Sequence, residues 1–136
     1  MPDEKTKTPS VEQRRAPRFR VNWHAEIVFA DQTVHRSFIN DISVQGASVF
    51  LGDNVTTEEA TLHIHIPPLT KTSPPHVLVV SGRMVYTVFD SDKQMYRIAF
   101  VFLRFRQEPD RAYLEERLSR HQTEIHEPEP WHPIEL

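Results

Sequence analysis

The sequence has 136 residues, of which 38% are apolar, eleven are proline, three are glycine and none is cysteine, and its net charge is −3. That length suits one domain, and the missing cysteine excludes a disulfide framework, a thiolate metal site and a cysteine nucleophile. No stretch approaches the roughly 18 apolar residues of a membrane span and residues 1–13 are polar, so neither membrane insertion nor a secretory leader is expected, and the cytoplasm is the expected compartment.

The small net charge conceals two opposed ends. Arg14-Arg15-Ala16-Pro17-Arg18-Phe19-Arg20 is a compact basic knot, whereas residues 122–136 carry Glu124, Glu127, Glu129 and Glu135 with no lysine or arginine. A local cluster of this kind on a mildly acidic chain suits a small anion better than a long polyanion.

In chain order, residues 1–13 hold too little apolar surface to offset their ordering entropy and read as a disordered arm. From Val21 to Phe29 the apolar side chains Val21, Trp23, Ala25, Ile27 and Phe29 recur every second residue, the period of a half-buried strand. Asp31-Gln32 is a turn, and a second strand is expected from Val34 to Ile42 with Phe38, Asn40 and Ile42 on one face. Ser43 to Gly46 interrupts it, and Ala47 to Leu51 resumes as a short strand. Leu62, Ile64 and Ile66 then alternate with His63 and His65 until Pro67-Pro68, where the ladder loses its donors. His76 to Phe89 reads as one long, bent strand with Gly82 a candidate bulge, and Met95 to Phe105 as its return.

The period then changes. Pro109 suits the first turn of a helix, Asp110 suits its positive end, and Leu114, Leu118 and Ile125 continue an apolar stripe. Arg111/Glu115 and Glu116/Arg120 are i,i+4 pairs. The domain boundaries are therefore 1–13 for the arm, 14–106 for the β domain with its arginine segment, 107–126 for a C-terminal helix and 127–136 for a Pro/Glu-rich tail containing Trp131. Short antiparallel strands must protect their edges, and closure into a barrel with the helix as a cap is the expected solution. The fold class is thus mainly β, a six-stranded antiparallel barrel with one C-terminal α-helix.

Two groups of residues carry chemistry. Arg14-x-x-x-Arg18, with Arg15 between, lies just before the barrel, and Pro17 disfavours helix at Ala16. Arginine presents a planar fork of donors that matches phosphate or the O6/N7 edge of guanine. The second group is Asp41-x-Ser43-x-x-Gly46. Asp41 and Ser43, two apart, share a face on extended chain and offer an acceptor beside a hydroxyl. Gly46 supplies either a positive φ or room for close backbone approach. A basic disordered arm and an Asx-turn between strands are the plainer readings of the two groups taken separately.

In this order and spacing the two motifs resemble those of the PilZ domain, a bacterial receptor module for cyclic di-GMP, and the resemblance runs over about residues 12–106. It implies a six-stranded barrel in which Arg14 and Arg18 clamp guanine edges and phosphates, Arg15 is an accessory contact, and Asp41, Ser43 and Gly46 line the barrel surface opposite. Gln13 stands where family members often carry another arginine, which leaves open whether one nucleotide or a stacked pair binds. The resemblance further implies a non-enzymatic effector with no cofactor, whose arginine segment changes conformation on binding and whose partner is a protein rather than DNA or RNA. Two rival readings are a PilZ-like adaptor that does not bind the nucleotide and a barrel that binds single-stranded nucleic acid. The latter predicts a basic barrel face, whereas residues 21–106 hold seven Lys/Arg against eight Asp/Glu. His63 and His65 share a strand face without a third ligand, so no metal site is expected.

Overall fold

The computed structural model describes residues 16–53, 58–121 and 124–125. Arg14, Arg15, the arm 1–13 and the tail 127–136 lie outside them.

The strands in chain order are β1 (Arg18–Arg20), β2 (His24–Phe29), β3 (Val34–Ile42), β4 (Gly46–Leu51), β5 (Glu59–Ile66), β6 (His76–Asp90) and β7 (Met95–Phe105). A helix α1 (Pro109–Ser119) and a two-residue strand β8 (Glu124–Ile125) follow. Strands β2, β5, β6, β7, β4 and β3 pair in that order, and β2 pairs with β3 to close a six-stranded antiparallel barrel. Closure satisfies every edge of those six strands. β1 extends the sheet beyond β3, and β8 pairs with β1.

The period of two does what it promises on β5. Leu62, Ile64 and Ile66 are buried while His63 and His65 lie outside, and each leucine or isoleucine removed from water contributes about 1.5–3 kcal/mol. Ile27, Ile39, Ile42, Val49, Leu78, Ile98 and Phe100 complete the interior, with Trp23 at one end. At the β2–β3 hairpin Gln32 adopts a left-handed φ of 74°, and Asp31 braces the turn by accepting hydrogen bonds from the amide and hydroxyl of Thr33. β6 is bent by register shifts at Ser81/Gly82 and Met84/Tyr86, the first at the glycine expected to bulge. There a methyl group would stand 3.0 Å from Leu62 Cδ1 and 3.3 Å from Phe100 Cβ, so any larger residue would press these side chains aside.

Three expectations are corrected. Phe38 does not share the core face with Ile42: it is 52% exposed, and Ile39 takes the interior position instead. The register between β3 and β4 shifts between Ile39 and Asp41, and this irregularity turns Asp41 and Ile42 inward together. The helix does not extend to residue 126. It ends at Ser119, where Arg120 closes the last turn and His121 donates its backbone N–H to the Leu118 carbonyl. Ile125 consequently belongs to β8 and not to the helical stripe, because the free edge of β1 supplies backbone partners that a longer helix would forgo. Finally, the strand expected from Val21 begins only at His24, and part of the arginine segment is itself a strand, β1.

α1 packs Leu114 and Leu118 against the barrel. Its first turn is pinned where His76 on β6 approaches buried Asp110, Nε2 to Oδ1 3.0 Å, and stacks on Tyr113. Its exposed face carries both expected ion pairs, Arg111–Glu115 at 4.0 Å and Arg120–Glu116 at 2.7 Å.

Candidate functional site

The site is built where β1 meets β3. Antiparallel pairing sets Phe19 opposite Ile42 and Arg20 opposite Asp41, and the Val21 amide continues the contact to the Asn40 carbonyl. Alternation along β1 turns Arg18 inward and Arg20 outward. The irregularity in β3 turns Asp41 inward at the same level. Arg18 and Asp41 are therefore buried together, 5% and 1% exposed, with Arg18 Nη1 3.8 Å from Asp41 Oδ2. Burying two opposite charges costs desolvation on both, and only close pairing and further hydrogen bonds offset it. One such bond comes from Ser48 on β4, whose hydroxyl donates to Asp41 Oδ1 at 3.1 Å.

The turn that follows β3 is held from within and from outside. The Ser43 amide donates to the Gly46 carbonyl at 2.8 Å, and the Gln45 amide donates to Ser43 Oγ at 2.9 Å. The side chain that caps this turn is thus the serine hydroxyl, where the sequence had suggested an Asx-turn. Gly46 opens β4 at a buried position without left-handed backbone. The Phe102 amide on β7 donates to the Gln45 carbonyl at 2.8 Å and anchors the turn to the barrel. Gln45 also reaches across: its Oε1 accepts from the Ala16 amide at 3.5 Å and joins the turn to the arginine segment.

Of the residues singled out from the sequence, Arg18, Asp41, Ser43 and Gly46 thus converge, while Arg14 and Arg15 lie outside the described residues. Arg18 and Asp41 touch each other instead of facing across a gap. Sequence reasoning missed three contributors. Ser48 is a small polar residue at a fully buried position of an otherwise apolar strand. Gln45 occupies an unspecified position inside the second motif. His121, beyond the helix, approaches the Arg20 carbonyl through Nε2 at 3.1 Å and sets its ring edge-on to Phe19 and Trp23. Of these only Ser48 carried a signal, as the one hydroxyl in an otherwise apolar strand; that it stands opposite Asp41 comes from the pairing of β3 with β4.

Beside the site, Pro17, Phe19 and Val44 face Glu115, Leu118 and Ser119 of α1 across a groove of about 280 Å³. The histidines of β5 lie elsewhere on the barrel. His65 meets Glu26 at 3.5 Å, and no group of three or more metal-ligating side chains occurs among the described residues. Nor, among those residues, is any helix long and apolar enough to cross a membrane.

The sequence matches the PilZ domain over residues 12–120, a span that includes the arginine segment, the Asp41–Gly46 turn and α1. The chain belongs to the PilZ domain family. PilZ proteins form a family of cyclic di-GMP receptors. No curated protein matches the sequence. Among solved structures, the inhibitor of motility MotI from Bacillus subtilis is similar at a TM-score of 0.63 and 15% identity, over 79% of this chain and 53% of that one. The PilZ domain of YcgR from Escherichia coli, solved with c-di-GMP, gives 0.51 and 18% identity over 79% of this chain and 95% of that one. The K. pneumonia MrkH-c-di-GMP complex gives 0.50 and 17%, over 77% and 49%. This PilZ chain therefore spans about half the length of MotI and MrkH, and its likeness to all three is one of fold.

Proposed function

We propose that this PilZ chain is a non-enzymatic receptor for cyclic di-GMP that signals to a protein partner in the cytoplasm. The observation that carries the reading is the convergence of Arg18, Asp41 and the Ser43–Gly46 turn at the root of the arginine segment, with Gln45 tying that segment to the turn. Family membership and the nucleotide complexes of YcgR and MrkH support it.

Each residue type answers one part of a guanine dinucleotide. Arg14 and Arg18 grip phosphate oxygens and the guanine O6/N7 edge, with Arg15 an accessory contact. Asp41 accepts from guanine N1–H and the exocyclic amine, Ser43 adds a hydroxyl, and Gly46 lets the ligand approach the backbone. Because Arg18 and Asp41 are withdrawn from water, entry of the nucleotide requires the arginine segment to move. That movement is the signal: ligand contacts order and re-aim the segment, and the partner reads the new surface. The ordering entropy lowers the net affinity.

Anisotropy of a fluorescent cyclic di-GMP titrated with the full chain tests this reading. Displacement by unlabelled cyclic di-GMP, with cyclic di-AMP and a single-stranded oligonucleotide both ineffective, is the expected result. Displacement by the oligonucleotide, with a steep loss at higher salt, would assign the barrel to nucleic acid instead. No binding of the labelled nucleotide would leave a protein-interaction adaptor.

A further inference from the structure

Pairing of β1 with β3 sets Arg20 opposite Asp41 and Phe19 opposite Ile42, and the Val21 amide donates to the Asn40 carbonyl in the same register. Carried outward, that register brings Pro17 opposite Val44 and Ala16 opposite Gln45. β3, however, ends at Ile42, and the backbone beyond it is engaged elsewhere. The Ser43 amide donates to the Gly46 carbonyl, the Gln45 amide donates to Ser43 Oγ, and the Gln45 carbonyl accepts from the Phe102 amide on β7.

The Gln45 side chain takes over where the ladder stops. Its Oε1 accepts from the Ala16 amide at 3.5 Å, at the position where a continuing β3 would offer a backbone carbonyl. Pro17 has no N–H to donate, so outward of Arg18 the Ala16 amide is the first donor the segment presents. Pro17 and Val44 line one groove, as the extended register requires. Inward of Pro17 the hold is firmer. There β1 pairs with β3 on one edge and with β8 on the other, and His121 Nε2 approaches the Arg20 carbonyl at 3.1 Å. At Pro17 the segment thus passes from a strand held on both edges to a hydrogen bond with one carboxamide.

We infer that Gln45 is a latch: its carboxamide stands in for a backbone acceptor and closes the arginine segment, hinged at Pro17, over the turn that carries Ser43 and Gly46. The inference deepens the proposed function and rests on it for the identity of the ligand. One neutral hydrogen bond is weak enough for charge-assisted ligand contacts to displace it. Only unlatched molecules present the turn, so the apparent affinity is lowered in proportion to the fraction that is open. Residue 45 therefore sets how readily the nucleotide binds without touching it, and is a positioning residue. Because the acceptor is a side chain, a substitution at this one position releases the segment and leaves the backbone bonds of the turn in place.

The test compares the full chain with Gln45→Met, which keeps the length of the side chain without its acceptor, and with Gln45→Glu, which keeps an acceptor. Amide hydrogen exchange without nucleotide, read by NMR, is expected to run severalfold faster at Ala16 in Gln45→Met and near the parent rate in Gln45→Glu. The Phe102 amide, bonded to the Gln45 backbone, is expected to exchange at the parent rate in all three chains. Cyclic di-GMP affinity by calorimetry is expected to rise roughly two- to tenfold in Gln45→Met, the range of one released hydrogen bond. Unchanged exchange at Ala16 in Gln45→Met, or acceleration at Phe102 as well, overturns the latch. Equal or weaker affinity in Gln45→Met, when the parent binds, also overturns it, and the weaker case makes Gln45 a ligand contact. If no chain binds the nucleotide, the proposed function fails, and exchange alone decides: faster exchange at Ala16 only in Gln45→Met upholds the latch on the segment.

Discussion

The barrel between β2, β5 and β6 and the seam between β1 and β3 are built on opposite terms. In the first, Ile27, Leu62, Ile64 and Leu78 interleave from neighbouring strands and the polar residues stay outside. In the second, the protein buries a guanidinium and a carboxylate side by side and supports them with the hydroxyl of Ser48. The apolar region is stable because nothing in it needs a partner. The seam depends on its partners remaining together, and the same groups that hold it are those proposed to engage a guanine nucleotide. On the proposed function, stability is separable from binding in one region and shared with it in the other.

The sharpest break of this contrast is Asp41→Ala. It removes the Asp41 carboxylate from beside buried Arg18 and is expected to cost on the order of 3–5 kcal/mol in urea unfolding, and to abolish nucleotide binding. Replacing both partners with apolar residues, Arg18→Met with Asp41→Leu, is expected to restore most of that stability and none of the binding. A double variant that binds normally would separate the pair from the site.

Leu62→Ala probes the other region. Truncating a side chain that is fully buried is expected to cost about 2–4 kcal/mol while cyclic di-GMP affinity stays at the parent value. Smaller effects refine the same comparison. Gly82→Ala pushes a methyl group to 3.0 Å from Leu62 and 3.3 Å from the stem of Phe100, for an expected loss of about 1–2 kcal/mol and no change in affinity. Gly52→Ala meets nothing within 4 Å, and its φ lies outside the left-handed region. Through the unfolded state alone it is expected to add roughly 0.4–1 kcal/mol.

The regions also differed in how much of them could be read from the sequence. Gly82 marked the bend of β6, and period two placed β5 because one of its faces meets the core and the other meets water. It misplaced Phe38, since the irregularity in β3 reverses inside and outside without altering residue types. It overran the helix as well: Ile125 keeps the helical spacing after Leu118, and nothing local announces that the edge of β1 offers the chain a better partner. At the site the two motifs named Arg18, Asp41, Ser43 and Gly46 by chemistry and order. Spacing along a chain cannot say which residues face each other, however, so the direct approach of Arg18 to Asp41 emerged only from the pairing of β1 with β3, and the parts played by Ser48, Gln45 and His121 from the pairing of β3 with β4 and from contacts between segments far apart in the chain.

The central claim is that the arginine segment and the Asp41–Gly46 turn together hold cyclic di-GMP. Arg14 tests it most directly, because the residue belongs to the first motif and not to the buried pair that stabilises the seam. Calorimetric titration of cyclic di-GMP into the parent is predicted to show saturable binding at micromolar affinity or tighter. With Arg14→Ala the affinity is predicted to fall about 30-fold, the equivalent of about 2 kcal/mol for a charge-assisted contact. No heat in the parent, or equal affinity in the two chains, would contradict the account.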